Sequence, residues 1–464
     1  MDAGRADVRP AHTLKTYLMS DLHLYITLGV FAAVIIAIAF DLIDMTLAAL
    51  LGVSVLLALE VINGPDLLAA TNIAGGPISL LFGGMVVAHT LSTTGLFERI
   101  GNVYLRATRG SGKRFLLLLM ALVAPLCAFL PNATTVILLA PIIIGVAEAL
   151  GIDYVGPMVL TAIVSNSAGM LTLVGDPATF LVGSSIDMSF GEYLRKVSLG
   201  GLISLLVVIP LLPRLMPEVW NMRMTLPPEQ PPKPLERPEY AALAVAVLAA
   251  MVLLFLYGED LPTRIVPPAV AIIAASLALL AVYSTKVEPM DKVFRAIDWK
   301  TLVFLACIFI LVQAFTKTGL LQSLSFKLHE WFGTDLQLVA LTMIAGIGTL
   351  SSLLANIPVV AASILMIKGY LVAAQVVPEA ALAAHFTDWP AATIPVFVAM
   401  MFGATLGGNA TLIGASANIV SAGICASRGH RITFGRFLRY GLPITLCQLA
   451  VSAVYILAMF HLLA

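Results

Sequence analysis

Eight long apolar stretches, at roughly 24–40, 45–63, 78–95, 197–213, 239–258, 266–284, 299–316 and 440–463, set the terms for any fold of this chain. A helix rises about 1.5 Å per residue, so about 20 apolar residues cross the hydrocarbon core of a bilayer. A soluble domain has no room to bury so many such segments. Charged residues make up only 11% of the 464-residue sequence and hydrophobic residues 60%, against about a quarter charged in soluble domains. The expected fold class is therefore an all-α polytopic membrane protein, with the lipid bilayer as its first partner and the cell's inner (plasma) membrane as its location. Arg5, Arg9 and Lys15 precede the first stretch in the manner of a signal peptide. That run is long and no small-residue cleavage pattern follows, so it reads as the first span.

Several classes are disfavoured. Lys+Arg and Asp+Glu balance at 26 each with no basic patch, so no nucleic acid partner is expected. The four cysteines, Cys127, Cys307, Cys425 and Cys447, stand singly in apolar segments. Neither a disulfide framework nor a metal site is supported, and no cofactor motif is present.

The regions 115–184 and 337–426 are apolar but broken by polar and Gly/Pro clusters. Between the two halves lies a linker rich in proline and charge at 214–238. The halves resemble one another. Thr94-Gly95-Leu96 returns as Thr318-Gly319-Leu320, and Asn132 returns as Asn356, both 224 positions later. AGMLTLVGDPATF returns as GGNATLIGASANI, with Thr172 matching Thr411 at an offset of 239. Three matches in order indicate an internal repeat. Basic residues orient it: loops 99–114, 214–237, 286–300 and 428–439 hold five, four, four and four, and the opposite loops hold fewer. Placing the richer loops in the cytoplasm requires about ten transmembrane helices, two re-entrant hairpins near 115–150 and 337–371, and two broken helices. The hairpins then enter from opposite sides and both termini lie outside. The expected organisation is an N-terminal tail (1–23), a first inverted repeat (24–213), a cytoplasmic linker (214–238) and a second inverted repeat (239–464). Inverted repeats with broken helices are a recurrent transporter design, and unwound backbone at membrane depth is tolerated only inside protein or beside a wet cavity.

Four polar breaks carry the candidate chemistry: Pro131 to Thr135, Asn166 to Pro177, Ala355 to Pro358, and Gly407 to Asn418. Each sets amides or hydroxyls beside a helix-stopping residue. Half-helices starting there aim unpaired N–H groups and a positive dipole end at a common centre, while unwound carbonyls can hold a cation. Asn132, Thr134, Thr135, Asn166, Asn356, Asn409, Thr411, Ser416 and Asn418 are the candidate substrate ligands. Capping of their own helices is the plainer alternative. Asp176 is the single acid in these breaks, and its repeat counterpart is Ala415. An intramembrane carboxylate is a functional candidate for a coupling proton or cation, yet Asp176-Pro177 is equally a helix N-cap followed by an N1 proline. His89 corresponds to Gln313 in the second half, and both are candidates for lining a pore or for packing. Lys368 is expected to snorkel from a hairpin end.

Residues 165–184 (SNSAGMLTLVGDPATFLVGS) and 407–446 (GGNATLIGASANIVSAGICASRGHRITFGRFLRYGLPITL) resemble signatures of the arsenite permease, NhaD-type antiporter and P-protein branch of the ion transporter superfamily. The resemblance implies an elevator-type carrier, commonly a homodimer, with some relatives driven by a partner ATPase. It places the substrate between Asn132, Thr134, Asn166, Asp176, Asn356, Asn409, Thr411 and Asn418. Many relatives carry an acid before each hairpin asparagine, whereas this chain has Pro131 and Ala355, and no arginine lies in any break. A cage of neutral amides and hydroxyls with one acid suits a small inorganic solute such as arsenious acid. The expected function is secondary active transport, proton-linked efflux of arsenite or antimonite, with a sodium/proton antiporter or a carrier of carboxylates or another inorganic solute as the alternative and an intramembrane enzyme or receptor as the remote one. An intramembrane enzyme would need paired acids or a nucleophile–base pair at one depth, and none is evident.

Overall fold

The computed structural model describes residues 11–39, 42–226, 235, 237–354, 356–382 and 386–463. Residues 1–10 of the N-terminal tail, part of the linker and Ala355 lie outside the described residues. The first half runs α1 (Ala11–Ala39), α2 (Met45–Ala58), α3 (Gly64–Ser92), α4 (Leu96–Thr108), α5 (Gly112–Cys127), α6 (Asn132–Ala149), α7 (Val155–Ala168), α8 (Pro177–Ser185), α9 (Phe190–Lys196), α10 (Ser198–Leu206), α11 (Leu212–Leu215) and α12 (Pro217–Asn221). The second runs α13 (Pro238–Tyr257), α14 (Pro267–Thr285), α15 (Met290–Ala296), α16 (Trp299–Lys317), α17 (Leu320–Phe332), α18 (Leu336–Leu353), α19 (Asn356–Ala373), α20 (Ile394–Gly407), α21 (Ser416–Ser427) and α22 (Phe434–Leu463). Among the described residues, nine helices are long and apolar enough to cross a membrane. A single β-bridge among the described residues joins Ser111 and Arg223.

The expected interruptions at 128–131 and near 354 fall where two helical hairpins turn, α5–α6 and α18–α19. Three elements differ from the sequence expectation. α3 begins at Gly64 rather than near 78, because Asn63 and Asp66 form a capping box (Asp66 N to Asn63 Oδ1 3.2 Å, Asn63 N to Asp66 Oδ2 2.8 Å) and Pro65 sits in the first turn. Pro77 is accommodated inside the resulting 29-residue helix. The stretches after Thr94 and Thr318, taken as loops, are the short amphipathic helices α4 and α17. Each starts after a glycine with φ of +73°, Gly95 or Gly319, a conformation glycine adopts without penalty.

Equivalent helices of the two halves pack reciprocally: α3 on α14 and α16 on α2, α6 on α21 and α19 on α8, α7 on α21 and α20 on α8. α3 and α16 also pack on each other. Asp66 at the start of α3 pairs with Lys317 at the end of α16 (2.7 Å), so the two helices run antiparallel. Near the other end of α3, His89 Nε2 meets Glu288 Oε1 at 2.6 Å.

The α3–α14 contact is backbone-close. A Cβ at Gly83 would overlap the carbonyl and Cβ of Ala271, whereas Gly423 on α21 has open space around it. Gly83→Ala should therefore destabilise the detergent-solubilised protein by about 1–3 kcal/mol, read as a lower thermal midpoint. Gly423→Ala should leave the midpoint unchanged or slightly raised. Equal midpoints for the two variants would contradict this packing.

Candidate functional site

The four breaks meet. α7 ends at Ala168 and continues through a 3-10 turn (Gly169–Leu171) to extended Thr172, and α8 restarts at Pro177. In the second half α20 ends at Gly407 and α21 restarts at Ser416. Each turn is tied to the hairpin of its own half by a threonine. Thr172 Oγ1 donates to the carbonyl of Ala128, and Thr411 Oγ1 to that of Ser352. The acceptors are 224 positions apart and the donors 239, the offsets of the sequence repeat. Paired glycines permit the turns. A Cβ at Gly175 would overlap the carbonyls of Gly169 and Cys127, and one at its counterpart Gly414 would overlap that of Gly408.

Asp176 lies where both hairpin tips converge. Its Oδ2 accepts from Asn132 Nδ2 at 3.2 Å and from Asn356 Nδ2 at 3.2 Å, and its Oδ1 accepts from Ala178 N at 2.7 Å and from Asn356 Nδ2 at 3.4 Å. The carboxylate thus caps α8, the plainer of the two readings, and also receives one asparagine from each half. It is 3% exposed. Ala415, its counterpart, offers no side-chain cap to α21, so the site is built around one acid only. Asn132 must turn its amide nitrogen to the carboxylate, which leaves Asn132 Oδ1 a buried acceptor without a donor. Thr135 Oγ1 and Thr179 Oγ1, one turn into α6 and α8, are likewise buried and unpartnered.

A second polar cluster lies beside this centre. Asn166 Nδ2 donates to Asn409 Oδ1 (3.1 Å) and Asn418 Oδ1 (3.0 Å). Asn409 Nδ2 donates to Ser167 Oγ (3.0 Å) and Gln448 Oε1 (2.9 Å), and Gln448 Nε2 donates to Ser167 Oγ (2.8 Å) and Ser204 O (3.0 Å). Asn418 Nδ2 bonds the carbonyls of Gly408 and Thr411, each at 2.8 Å. These amides have their donors engaged within the protein, and the network locks α7, α10, α21 and α22 to the turn that follows α20. Gln448 and Ser167 were not singled out from sequence; a lone glutamine inside the apolar run of α22 was the available signal.

A cleft of about 1120 Å³ separates α3, α13 and the start of α16 from α4 and α6. Its lining includes Ala133 and Thr134, next in sequence to Asn132, and His89 in the facing wall. Thr134 and His89 therefore border this open space, while Asn132, Asp176 and Asn356 are not part of its lining. Gln313 is half-buried on α16 and outside that lining, and Ser416 is exposed at the start of α21. Glu288, unmarked in the sequence reading, is the buried partner of His89, with Lys292 Nζ 3.4 Å from its other oxygen. Lys368 does not snorkel. It is 4% exposed, its ammonium 5.1 Å from the Trp389 ring centre, because residues 386–397 fold an aromatic cluster over it. Among the described residues no group of acids, histidines or cysteines is arranged to hold a metal.

Apolar helices enclosing hairpin tips, broken helices and a polar centre are the architecture of a multi-pass membrane carrier. Residues 34–387 match the citrate transporter family, and the chain belongs to it as a secondary transporter. It is 39% identical over 440 residues to an uncharacterized transporter of Synechocystis, covering 95% of this chain and 98% of that one. An uncharacterized transporter of Mycobacterium tuberculosis is 30% identical over 434 residues, covering 93% and 97%. The human P protein is 26% identical over 526 residues, covering 95% of this chain and 61% of its own length, in keeping with the resemblance to the P-protein branch. Among solved structures, the Alcanivorax borkumensis YdaH transporter overlays with a TM-score of 0.48 at 15% identity, covering 85% and 87%.

Asp176→Ala removes a cap worth about 1 kcal/mol and leaves two amides without their acceptor, at about 1–3 kcal/mol per buried group. Asp176→Asn keeps a capping oxygen. The alanine variant should therefore melt clearly below the asparagine variant in detergent; coincident melting curves would show that Asp176 does not hold the hairpin tips.

Proposed function

We propose that this chain is a proton-linked carrier for a small, neutral, hydroxyl-bearing inorganic solute, with arsenious or antimonous acid as the leading cargo. The observation that carries this reading is the orphaned acceptor Asn132 Oδ1 beside the Asp176 carboxylate. A site presenting a carboxylate and free acceptor oxygens calls for hydrogen-bond donors. No lysine, arginine or histidine occurs within 128–135, 166–177, 352–358 or 407–418, so nothing there neutralises an anion. A neutral hydroxide supplies several O–H donors with no charge to compensate. A proton on Asp176 supplies the alternative donor, able to reach Asn132 Oδ1 after a turn of the carboxyl. Occupancy by the proton or by the cargo hydroxyl is then mutually exclusive at one acceptor, which is the logic of exchange. In this reading Asn132, Asn356 and Asp176 engage cargo, Thr134 borders its approach, and the amide network around Asn166, Asn409 and Asn418 keeps the broken helices in register. The antiparallel pairing of repeat-related α3 and α16 supports halves inverted across the bilayer, and the cleft between hairpin and scaffold helices supports movement of the hairpin unit past the rest.

A carboxylate carrier is the second reading, favoured by the family's description as citrate transporters. It requires the cargo to bring its own cations, because the site holds an acid and no base.

Arsenite and antimonite flux in proteoliposomes, with and without a pH gradient, tests the first reading against citrate with sodium or a divalent cation. Wild-type flux should follow the gradient, disappear in Asn132→Ala, and lose its gradient dependence in Asp176→Asn. Citrate movement without metalloid movement would replace the cargo assignment.

A further inference from the structure

The backbone between α4 and α5 is built against the start of the inter-half linker. Gly112 N donates to Met222 O (3.0 Å), Met224 N to Gly110 O (2.9 Å), and Ser111 bridges Arg223. The fit requires glycine on both sides. A Cβ at Gly110 would overlap the carbonyl of Met224, and one at Gly112 that of Val219, and Gly110 also has φ of +71°. The effect is to gather like charges. Arg109, Lys113, Arg114 and Arg223 are exposed on this lobe, with exposed Arg214 one turn before α12, and none of the five forms an ion pair among the described residues. Glu218 is the one acid within 106–114 and 211–226. Elsewhere Lys196, Lys292, Lys300, Lys317, Arg428 and Arg436 each have a carboxylate partner, and the remaining cations without one among the described residues, such as Arg195, Arg264 and Lys327, are spread over separate segments.

The lobe sits where the apolar span Ser198–Leu215 and hairpin helix α5 both end, at a membrane boundary. Trp220 is half-buried there with the Lys113 ammonium 5.3 Å from its ring centre, and tryptophan is favoured at the headgroup level of bilayers. Fixed cations held together at that depth call for fixed anions from outside the chain. We propose that this lobe is a binding surface for the phosphate groups of anionic phospholipids, which would clamp the linker onto the first hairpin. The proposal does not depend on the cargo.

The test is a titration of full-length carrier in detergent with dioleoylphosphatidylglycerol, dioleoylphosphatidylcholine or inorganic phosphate, following the thermal midpoint. Phosphatidylglycerol should raise the midpoint and the other two should not. The triple variant Lys113→Gln, Arg114→Gln, Arg223→Gln should need on the order of a hundred-fold more phosphatidylglycerol for the same rise, from three lost contacts near an anionic surface. Charge-keeping substitutions (Lys113→Arg, Arg114→Lys, Arg223→Lys) should restore the response, and Arg223→Gln alone gives the comparison if the triple variant does not fold. An unchanged response in the glutamine variants, or an equal response to phosphatidylcholine, overturns the proposal. A full effect from inorganic phosphate alone also overturns it, assigning the surface to a soluble anion instead.

Discussion

A carboxylate buried among membrane-depth helices must find donors, and Asp176 finds them from both halves of the chain. Burial of an uncompensated charge is costly at that depth, so the geometry around Asp176 is constrained far more tightly than the surrounding apolar packing. The α8 start supplies a backbone N–H, and Asn132 and Asn356 supply one amide each. The hairpin tips are thereby joined to one another through a single side chain. Whatever changes the charge or the partners of that side chain changes how both hairpins are held.

The rest of the fold delivers those three donors to one point. Proline and asparagine at 131–132 stop one hairpin and start its second arm, and Thr172 and Thr411 pin each broken-helix turn to its hairpin. Glycines at 175, 408 and 414 allow the turns to close backbone to backbone. Behind them the amide network from Asn166 to Gln448 ties four helices with its donors satisfied, which suits a rigid frame. Asn132 Oδ1, beside the Asp176 carboxylate, by contrast has no donor.

Much of this was legible in the sequence. The apolar runs, both hairpin interruptions, the repeat offsets of 224 and 239, and the isolation of Asp176 as the lone acid were all readable, because each is a local pattern repeated at a fixed spacing. Convergence was not readable. Asn132, Asp176 and Asn356 are 44 and 180 positions apart, and no spacing rule says that two halves meet on one residue. Nor could residue type separate Asn409, with its donors spent on Ser167 and Gln448, from Asn132, with an acceptor to spare. α4 and α17 escaped because half-buried amphipathic helices lack a long apolar run, and Lys368 because its aromatic cover comes from a separate segment.

The central claim is that Asp176 and the cargo compete to supply the donor at Asn132, so cargo binding and proton binding exclude each other. Proton movement on adding arsenite to purified carrier in weakly buffered detergent solution, followed with a pH indicator, tests it most directly. Net proton release by wild type that vanishes in Asp176→Asn is the predicted result. Saturable arsenite binding with no proton movement, or with proton uptake, would contradict it.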